Sequence, residues 1–289
     1  MKYYLVIFYV IILSSSSIAQ GNGNGRNRIR LAANDAAKEY LLNASRPDYE
    51  VNTNLLFAKD LTTSIDLTGG SDFTTLSLNA DYGLSNSLMI SAGMDFFNSQ
   101  YNFRNVRKSG IGDGYILLGY HRDINENLSL ISQISAKIPF AAVIKNLGTG
   151  KPDLHIAAAQ ISNFGNFGFQ TSISLGLLSR VDFPLAEDSL VFTPVQRAID
   201  SLKAAYDYDI ESTFTIDISP SINLSENVNM YAGMNFNRNM RLNYNTSIGY
   251  LGMGYNVSDA VYLSGGYSFG ILNYTGNSFN LGLTYYKAK

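Results

Sequence analysis

Residues 228–237 read Val-Asn-Met-Tyr-Ala-Gly-Met-Asn-Phe-Asn, and their alternation decides the fold. Val228, Met230, Ala232, Met234 and Phe236 share one parity, and Asn229, Tyr231, Gly233, Asn235 and Asn237 share the other. Successive side chains of a strand point to opposite faces, so this is a strand with one apolar face and one small or polar face. The period recurs along the chain. Phe167, Phe169, Thr171, Ile173, Leu175 and Leu177 alternate with Gly168, Gln170, Ser172, Ser174 and Gly176. Leu88, Ile90, Ala92, Met94 and Phe96 alternate with Met89, Ser91, Gly93 and Asp95. From Leu61 onward the pattern gives segments at 61–68, 73–83, 87–98, 112–122, 128–140, 153–163, 166–180, 209–221, 227–238, 244–256, 260–272 and 277–287.

A soluble antiparallel sandwich alternates in the same way. Segment length separates the two architectures. Soluble strands centre on about 5–6 residues, whereas a tilted strand needs about 9–11 to cross a bilayer. The links also alternate in length. Gly83-Leu84-Ser85-Asn86, Phe164-Gly165 and Leu224-Ser225-Glu226 are short turns, while 99–111, 141–152 and 181–208 are long. Short turns at one end and long loops at the other are the layout of an outer-membrane barrel. In hydrocarbon every backbone N–H and C=O needs a partner, and a closed sheet supplies one without leaving edges. The expected fold is therefore all-β, a closed antiparallel transmembrane β-barrel of about twelve strands. Its apolar parity faces lipid and its polar parity faces the lumen. Tyr82, Tyr120, Tyr262, Tyr267 and Tyr285 suit aromatic girdles at the interfaces. In 112–122, 153–163 and 244–256 both parities carry apolar residues, so the lumen is expected to be partly apolar there.

Composition agrees with that reading. The 289 residues include 21 Lys and Arg against 23 Asp and Glu, with no Cys and no Trp. Charged residues make up 15%, below the roughly 25% of soluble domains. Twenty Tyr and sixteen Phe argue against disorder. The absence of Cys excludes disulfide scaffolds and thiolate-bound metals, and a net charge of -2 excludes a basic nucleic-acid binder.

The N-terminus is organised differently. Lys2 precedes an apolar run of 11 residues, Tyr3 to Leu13, and Ser17-Ile18-Ala19 fits a small-x-small cleavage site. Residues 1–19 thus read as a signal peptide, and the barrel as a resident of the outer membrane of a Gram-negative bacterium. Residues 20–60 read as a linker, with a short helix at Asn34 to Leu42 that either docks loosely or plugs the lumen. Tyr49, Val51, Thr53, Leu55 and Phe57 alternate, and either extend the first strand or add inner structure. Residues 61–289 form the barrel. Within 181–208, Thr193, Pro194 and Gln196 make a helix start. Val195, Ile199, Leu202 and Tyr206 then form a stripe for a lid or a rim helix.

Reactive chemistry is sparse. His121 and His155 are the two histidines, and neither is followed at the second position by Ser. No catalytic constellation, metal-ligand cluster or cofactor motif stands out. Gly148-Thr149-Gly150-Lys151-Pro152 departs from a phosphate loop, because Lys145 replaces the first Gly and Pro152 the Ser/Thr. The informative residues are polar or charged on the inferred lumenal parity: Asp66, Asp81, Asp95, Gln133, Lys137, Gln170, Arg180, Glu211 and Asp217. Such residues either line a path or pair with one another as internal glue.

Four short motifs carry a family resemblance over about residues 80–180. They are Tyr82-Gly83-Leu84 at a turn, Gly110-Ile111-Gly112-Asp113 at a strand start, Lys137-Ile138-Pro139 at a strand end, and Leu147-Gly148-Thr149-Gly150-Lys151-Pro152-Asp153 in a loop. This order resembles the meta-pathway phenol-degradation family of outer-membrane proteins, itself similar to the long-chain fatty-acid transporters. The resemblance implies uptake of small, hydrophobic molecules. The residues themselves point to passive passage of a small solute, with membrane lipid and the solute as partners and no nucleic acid. Oligomeric state stays open. A structural or adhesive barrel presenting loops 99–111, 141–152 and 181–208 is the alternative, and a barrel hydrolase is a third.

Overall fold

Each of the twelve alternating segments from Leu61 onward is a strand in a computed structural model of the chain, which describes residues 51–70, 73–101, 106–140, 152–179, 210–240, 244–273 and 277–288. The strands are β1 (Leu61–Gly70), β2 (Phe73–Gly83), β3 (Leu88–Tyr101), β4 (Val106–Asn125), β5 (Leu128–Ile138) and β6 (Leu154–Phe164). They continue as β7 (Phe167–Ser179), β8 (Ile210–Asn223), β9 (Val228–Asn239), β10 (Tyr244–Ser258), β11 (Val261–Leu272) and β12 (Asn277–Lys287). Each pairs antiparallel with its sequence neighbours, and β1 pairs with β12, from Leu61 opposite Lys287 to Gly70 opposite Ser278. The cylinder is closed, so no edge strand is left with unpaired backbone groups.

Side-chain exposure separates the two faces. Leu78, Met94, Ile134, Ile173, Leu251 and Leu281 all point outward and are 42–56% exposed. Among the described side chains, the outward-facing charges are Arg122, Arg238 and Lys287, all at strand ends. The waist between them carries none, as it must if it faces hydrocarbon, where a charge at the midplane costs about 2–4 kcal/mol. Tyr82, Tyr120, Tyr255 and Tyr285 form an outward aromatic belt at the short-turn end. Tyr262 departs from the girdle expectation. It lies on the inward parity, and its hydroxyl donates to Asn229 Oδ1 at 3.0 Å.

The short turns follow from their residues. Leu84-Ser85 and Leu224-Ser225 build the same turn twice. The Ser85 hydroxyl accepts from Leu88 N at 3.1 Å, and the Ser225 hydroxyl from Val228 N at 3.1 Å. Phe164 opposes Phe167 across Gly165-Asn166, and Gly165 takes φ 63°, which a tight hairpin needs and glycine adopts without cost.

One link is shorter than its sequence suggests. Residues 99–111, expected as a loop, are largely strand: β3 runs to Tyr101 and β4 begins at Val106. The register slips between Met94 and Phe96, opposite Gly114 and Ile111. This bulge lets the glycine-rich stretch of β4 continue the ladder beyond the expected start. The signal peptide, the helix at 34–42, the 181–208 loop with its helix, and residues 141–151 lie outside the described residues.

Candidate functional site

The inward parity lines one lumen with two unlike walls. From β3 to β7 many inward side chains are buried: Met89, Leu117, Ile131, Ala157 and Leu178 are each no more than 7% exposed. Polar members of that wall are equally covered, with Ser91 at 1% and Gln133 at 7%. From β8 through β12 to β1, apart from Thr62, Thr213, Asn239 and Tyr244 near the strand ends, most inward residues keep partial contact with water. These include Thr215 and Asp217 of β8, Asn229, Tyr231, Asn235 and Asn237 of β9, Tyr250 of β10, Tyr262 and Ser264 of β11, Asn280 of β12, and Ser64 and Asp66 of β1.

A buried ion cluster anchors the covered wall. Lys137 Nζ lies 2.8 Å from Asp153 Oδ2 and 3.6 Å from Asp113 Oδ2, with the side chains of Lys137, Asp113 and Asp153 at 0% exposure. Asp113 sits beside the β3–β4 bulge and Asp153 just before β6. Three of the four motif fragments that carry the family resemblance therefore meet in one ion cluster. Charges this deep are tolerable only as partners, because each alone would meet a desolvation cost of several kcal/mol.

The segment before β1 enters the lumen from the short-turn end. Asp60 N donates to Phe57 O at 3.1 Å and Phe57 N to Asp60 Oδ2 at 3.1 Å, while Lys59 takes φ 75°, so the chain reverses at Ala58-Lys59. Residues 51–57 then run back along β2 and β3. Asn52 Nδ2 donates to Asp81 Oδ1 at 2.8 Å and to Ser91 Oγ at 3.1 Å, and Asn54 Nδ2 donates to Asp81 Oδ2 at 2.7 Å. Leu56 is 2% exposed. The Phe57 ring meets His121 edge-on at 6.3 Å. Tyr286 seals the reversal by donating to Asp60 Oδ2 at 2.8 Å. Of the alternating stretch, residues 51–57 are thus inner structure and not an extension of β1.

Inward tyrosines lie flat across glycines of the neighbouring strand. Tyr250 of β10 passes over Gly233 of β9 and donates to Asp217 Oδ1 of β8 at 2.8 Å. Tyr262 of β11 passes over Gly254 of β10 to Asn229 of β9, and Tyr115 of β4 passes over Gly93 of β3 to Asn79 of β2 at 2.9 Å. A Cβ on Gly233, Gly254 or Gly93 would run into the ring above it. Glycine weakens a strand, and the covering ring restores the lost packing. The rings consequently hug the wall.

The sequence candidates fall as follows. Asp66 accepts from Ser64 Oγ at 2.9 Å, Asp81 holds the N-terminal segment, and Asp217 accepts from Tyr250. Asp95 is buried at the β3–β4 bulge, and Lys137 is in the ion cluster. Gln133 is buried, and its side-chain oxygen has no hydrogen-bond partner. Gln170 faces the lumen from β7, opposite Ser219 of β8. Glu211 pairs through its backbone with Leu178. Its side chain, and the whole of Arg180, lie outside what is described. These nine are not one site: they are spread over β1, β2, β3, β5, β7, β8 and the link beyond β7. Asp113, Asp153 and the inward tyrosines belong to the lumen as well. Their signal was parity, since each sits on the small or polar face of its strand or just ahead of it.

His121 packs against Phe57, and His155 lies opposite Ser135 and Gly176. Among the described residues no group of three or more His, Cys, Asp or Glu is placed to hold a metal ion. A hollow of about 560 Å³ sits on the outer wall, lined by Leu118, Tyr120, Ile134, Ile156, Ile173 and Phe214 over the small Ser132 and Ala158. It faces lipid and not the lumen.

No family model and no curated protein matches the chain. Solved structures match its architecture. An outer membrane channel from Pseudomonas putida F1 superposes with a TM-score of 0.59 at 12% identity, covering 84% of this chain and 99% of that one. The NanC porin superposes at 0.54 and 9% identity, covering 79% and 100%. The KdgM porin in complex with oligogalacturonate superposes at 0.51 and 7% identity, covering 78% and 98%. At these identities the likeness is one of fold, the closed outer-membrane barrel.

Proposed function

We propose that this protein is a passive outer-membrane channel for small polar solutes, with its water path along the β8–β12 and β1 side of the lumen. One observation carries the reading: the inward face from β8 round to β1 keeps contact with water through the middle of the barrel, while much of the opposite wall is covered. Twelve strands suit that division. Eight-stranded barrels are just wide enough to be filled by side chains, and sixteen-stranded ones leave an aqueous channel. The solved structures of like architecture being a channel and two porins supports the same reading.

The phenol-family resemblance favours a hydrophobic solute. The apolar inward residues do not favour it, because Met89, Leu117, Ile131 and Leu178 are buried and offer a passing molecule little surface. The accessible lining is amide, hydroxyl and phenol. Its charge is one-sided as well: on the described inward face away from the strand ends, the charged side chains that meet water are Asp66 and Asp217. A negative lining inside low-dielectric walls concentrates cations and repels anions. Residues 51–60 act as a partial plug that narrows the short-turn end. Planar-bilayer recording in a potassium chloride gradient tests the proposal. The expected result is discrete conductance steps with a reversal potential on the cation side. A bilayer that stays sealed with folded protein inserted contradicts the channel.

A further inference from the structure

We infer that β9 and its neighbours form a binding track for neutral polyhydroxylated solutes, of which oligosaccharides are the fitting class. The inference rests on the channel reading and names what the channel selects. It starts from the inward series of β9, which is Asn229, Tyr231, Gly233, Asn235, Asn237 and Asn239. Asn is depleted in strands because its side chain competes with the backbone, so four of them on one face work against strand formation. Asn229 to Asn237 extend over about 27 Å of strand at roughly 3.4 Å per residue. No described inward residue of β9 is charged.

The chemistry of that face is specific. Each carboxamide offers two donors and a carbonyl acceptor. Asn237 uses one donor on Thr215 Oγ1 at 2.9 Å, and Asn229 uses its carbonyl to accept from Tyr262. Asn235 bonds the Asp217 carboxylate through its side chain, and Asn239 is buried, so lumenal water meets the capacity left on Asn229, Asn235 and Asn237. A carboxamide pairs with adjacent hydroxyls, one as donor and one as acceptor. The Tyr231 ring lies across Gly252 of β10 and the Tyr250 ring across Gly233, with centroids 6.5 Å apart. Flat phenol faces accept the C–H face of a pyranose ring by apolar contact. Amide rows beside flat aromatic rings match a molecule with hydroxyl edges and apolar faces. A purely apolar solute would strip water from the amides and return nothing. An anionic solute would meet Asp217, which flanks the track on β8 opposite Asn235, and Asp66 at the far side of the open wall on β1.

Maltohexaose and cellohexaose are suitable probes, with the full-length protein in planar bilayers. Either should close the potassium chloride current in discrete events at millimolar concentration. A polyethylene glycol of equal size should only scale the current. The doubly substituted Asn235→Leu and Asn237→Leu protein should need about tenfold more sugar to halve its own salt current, the equivalent of one good hydrogen bond. Because the chain has twenty Tyr and no Trp, tyrosine fluorescence in micelles reports binding without conduction. It should respond to the sugars in the wild type and respond about tenfold more weakly in the variant. A salt current that both sugars leave untouched overturns the track while the channel stands, as does equal block of wild type and variant. A folded protein that passes no salt current overturns the channel reading itself.

Discussion

The two walls of the lumen are built from the same alternating strands, yet they serve different ends. On β3 to β7 the long or branched inward side chains Met89, Leu117, Ile131, Lys137 and Leu178 are buried, together with the small Ser91, Ala157 and Ala159. From β8 to β12 most inward positions are held by Asn, Ser, Thr, Gly and flat-lying Tyr, which project little from the backbone. Side-chain reach and what lies across the lumen, not strand pairing, therefore decide how far each half of a uniform cylinder is covered. On the channel proposal the covered half carries stability and the open half traffic, so substitutions on the two should separate in what they disturb.

The largest separation is expected at the ion cluster. Lys137→Met removes the partner of Asp113 and Asp153 where all three are out of water, which costs about 3–5 kcal/mol. Asp217→Asn on the open wall keeps an acceptor for Tyr250 and should cost less than about 1 kcal/mol. Urea unfolding in lipid vesicles reads both. Equal loss would mean that the two walls do not differ in this way. A second contrast uses one strand. Leu281→Arg places a charge on the lipid side and should cost about 2–4 kcal/mol, whereas Asn280→Arg, one residue away, should cost near zero. If the order reverses, the faces have been assigned backwards. The smallest effect is expected at the N-terminal segment. Asn52→Ala with Asn54→Ala removes the three hydrogen bonds to Asp81 and Ser91, at about 1–1.5 kcal/mol in all, because water enters the space the amides leave. Single-channel conductance should rise while the unfolding midpoint moves little. An unchanged conductance would argue that the segment does not narrow the path.

The cylinder was legible in the sequence because strand parity is a local signal repeated twelve times. Phe73–Gly83 and Asn277–Lys287 fall where alternation places them. The misread positions have physical causes. Ser109 to Gly112 looks like a loop because glycine is rare in strands, but the bulge opposite Met94 and Phe96 absorbs it into β4. Tyr262 looks like a girdle residue because tyrosine suits both the interface and the lumen. Its parity with Ser264 and Gly266, not its type, puts it inside. Lys137, Asp113 and Asp153 each appear alone in the sequence, and only closure of the barrel brings β4, β5 and the approach to β6 together. Which wall is filled was not legible, since coverage depends on what lies across the lumen and parity says nothing about that.

The absence of cysteine makes the central claim directly measurable. Single Cys substitutions Asn235→Cys on the open wall, Gln133→Cys on the covered wall and Met234→Cys on the lipid face can each be exposed to a charged, water-soluble methanethiosulfonate while current is recorded. Rapid modification with a stepwise fall in current is expected for Asn235→Cys alone. Modification of Gln133→Cys as fast as Asn235→Cys, or of Met234→Cys in place of either, would contradict the account.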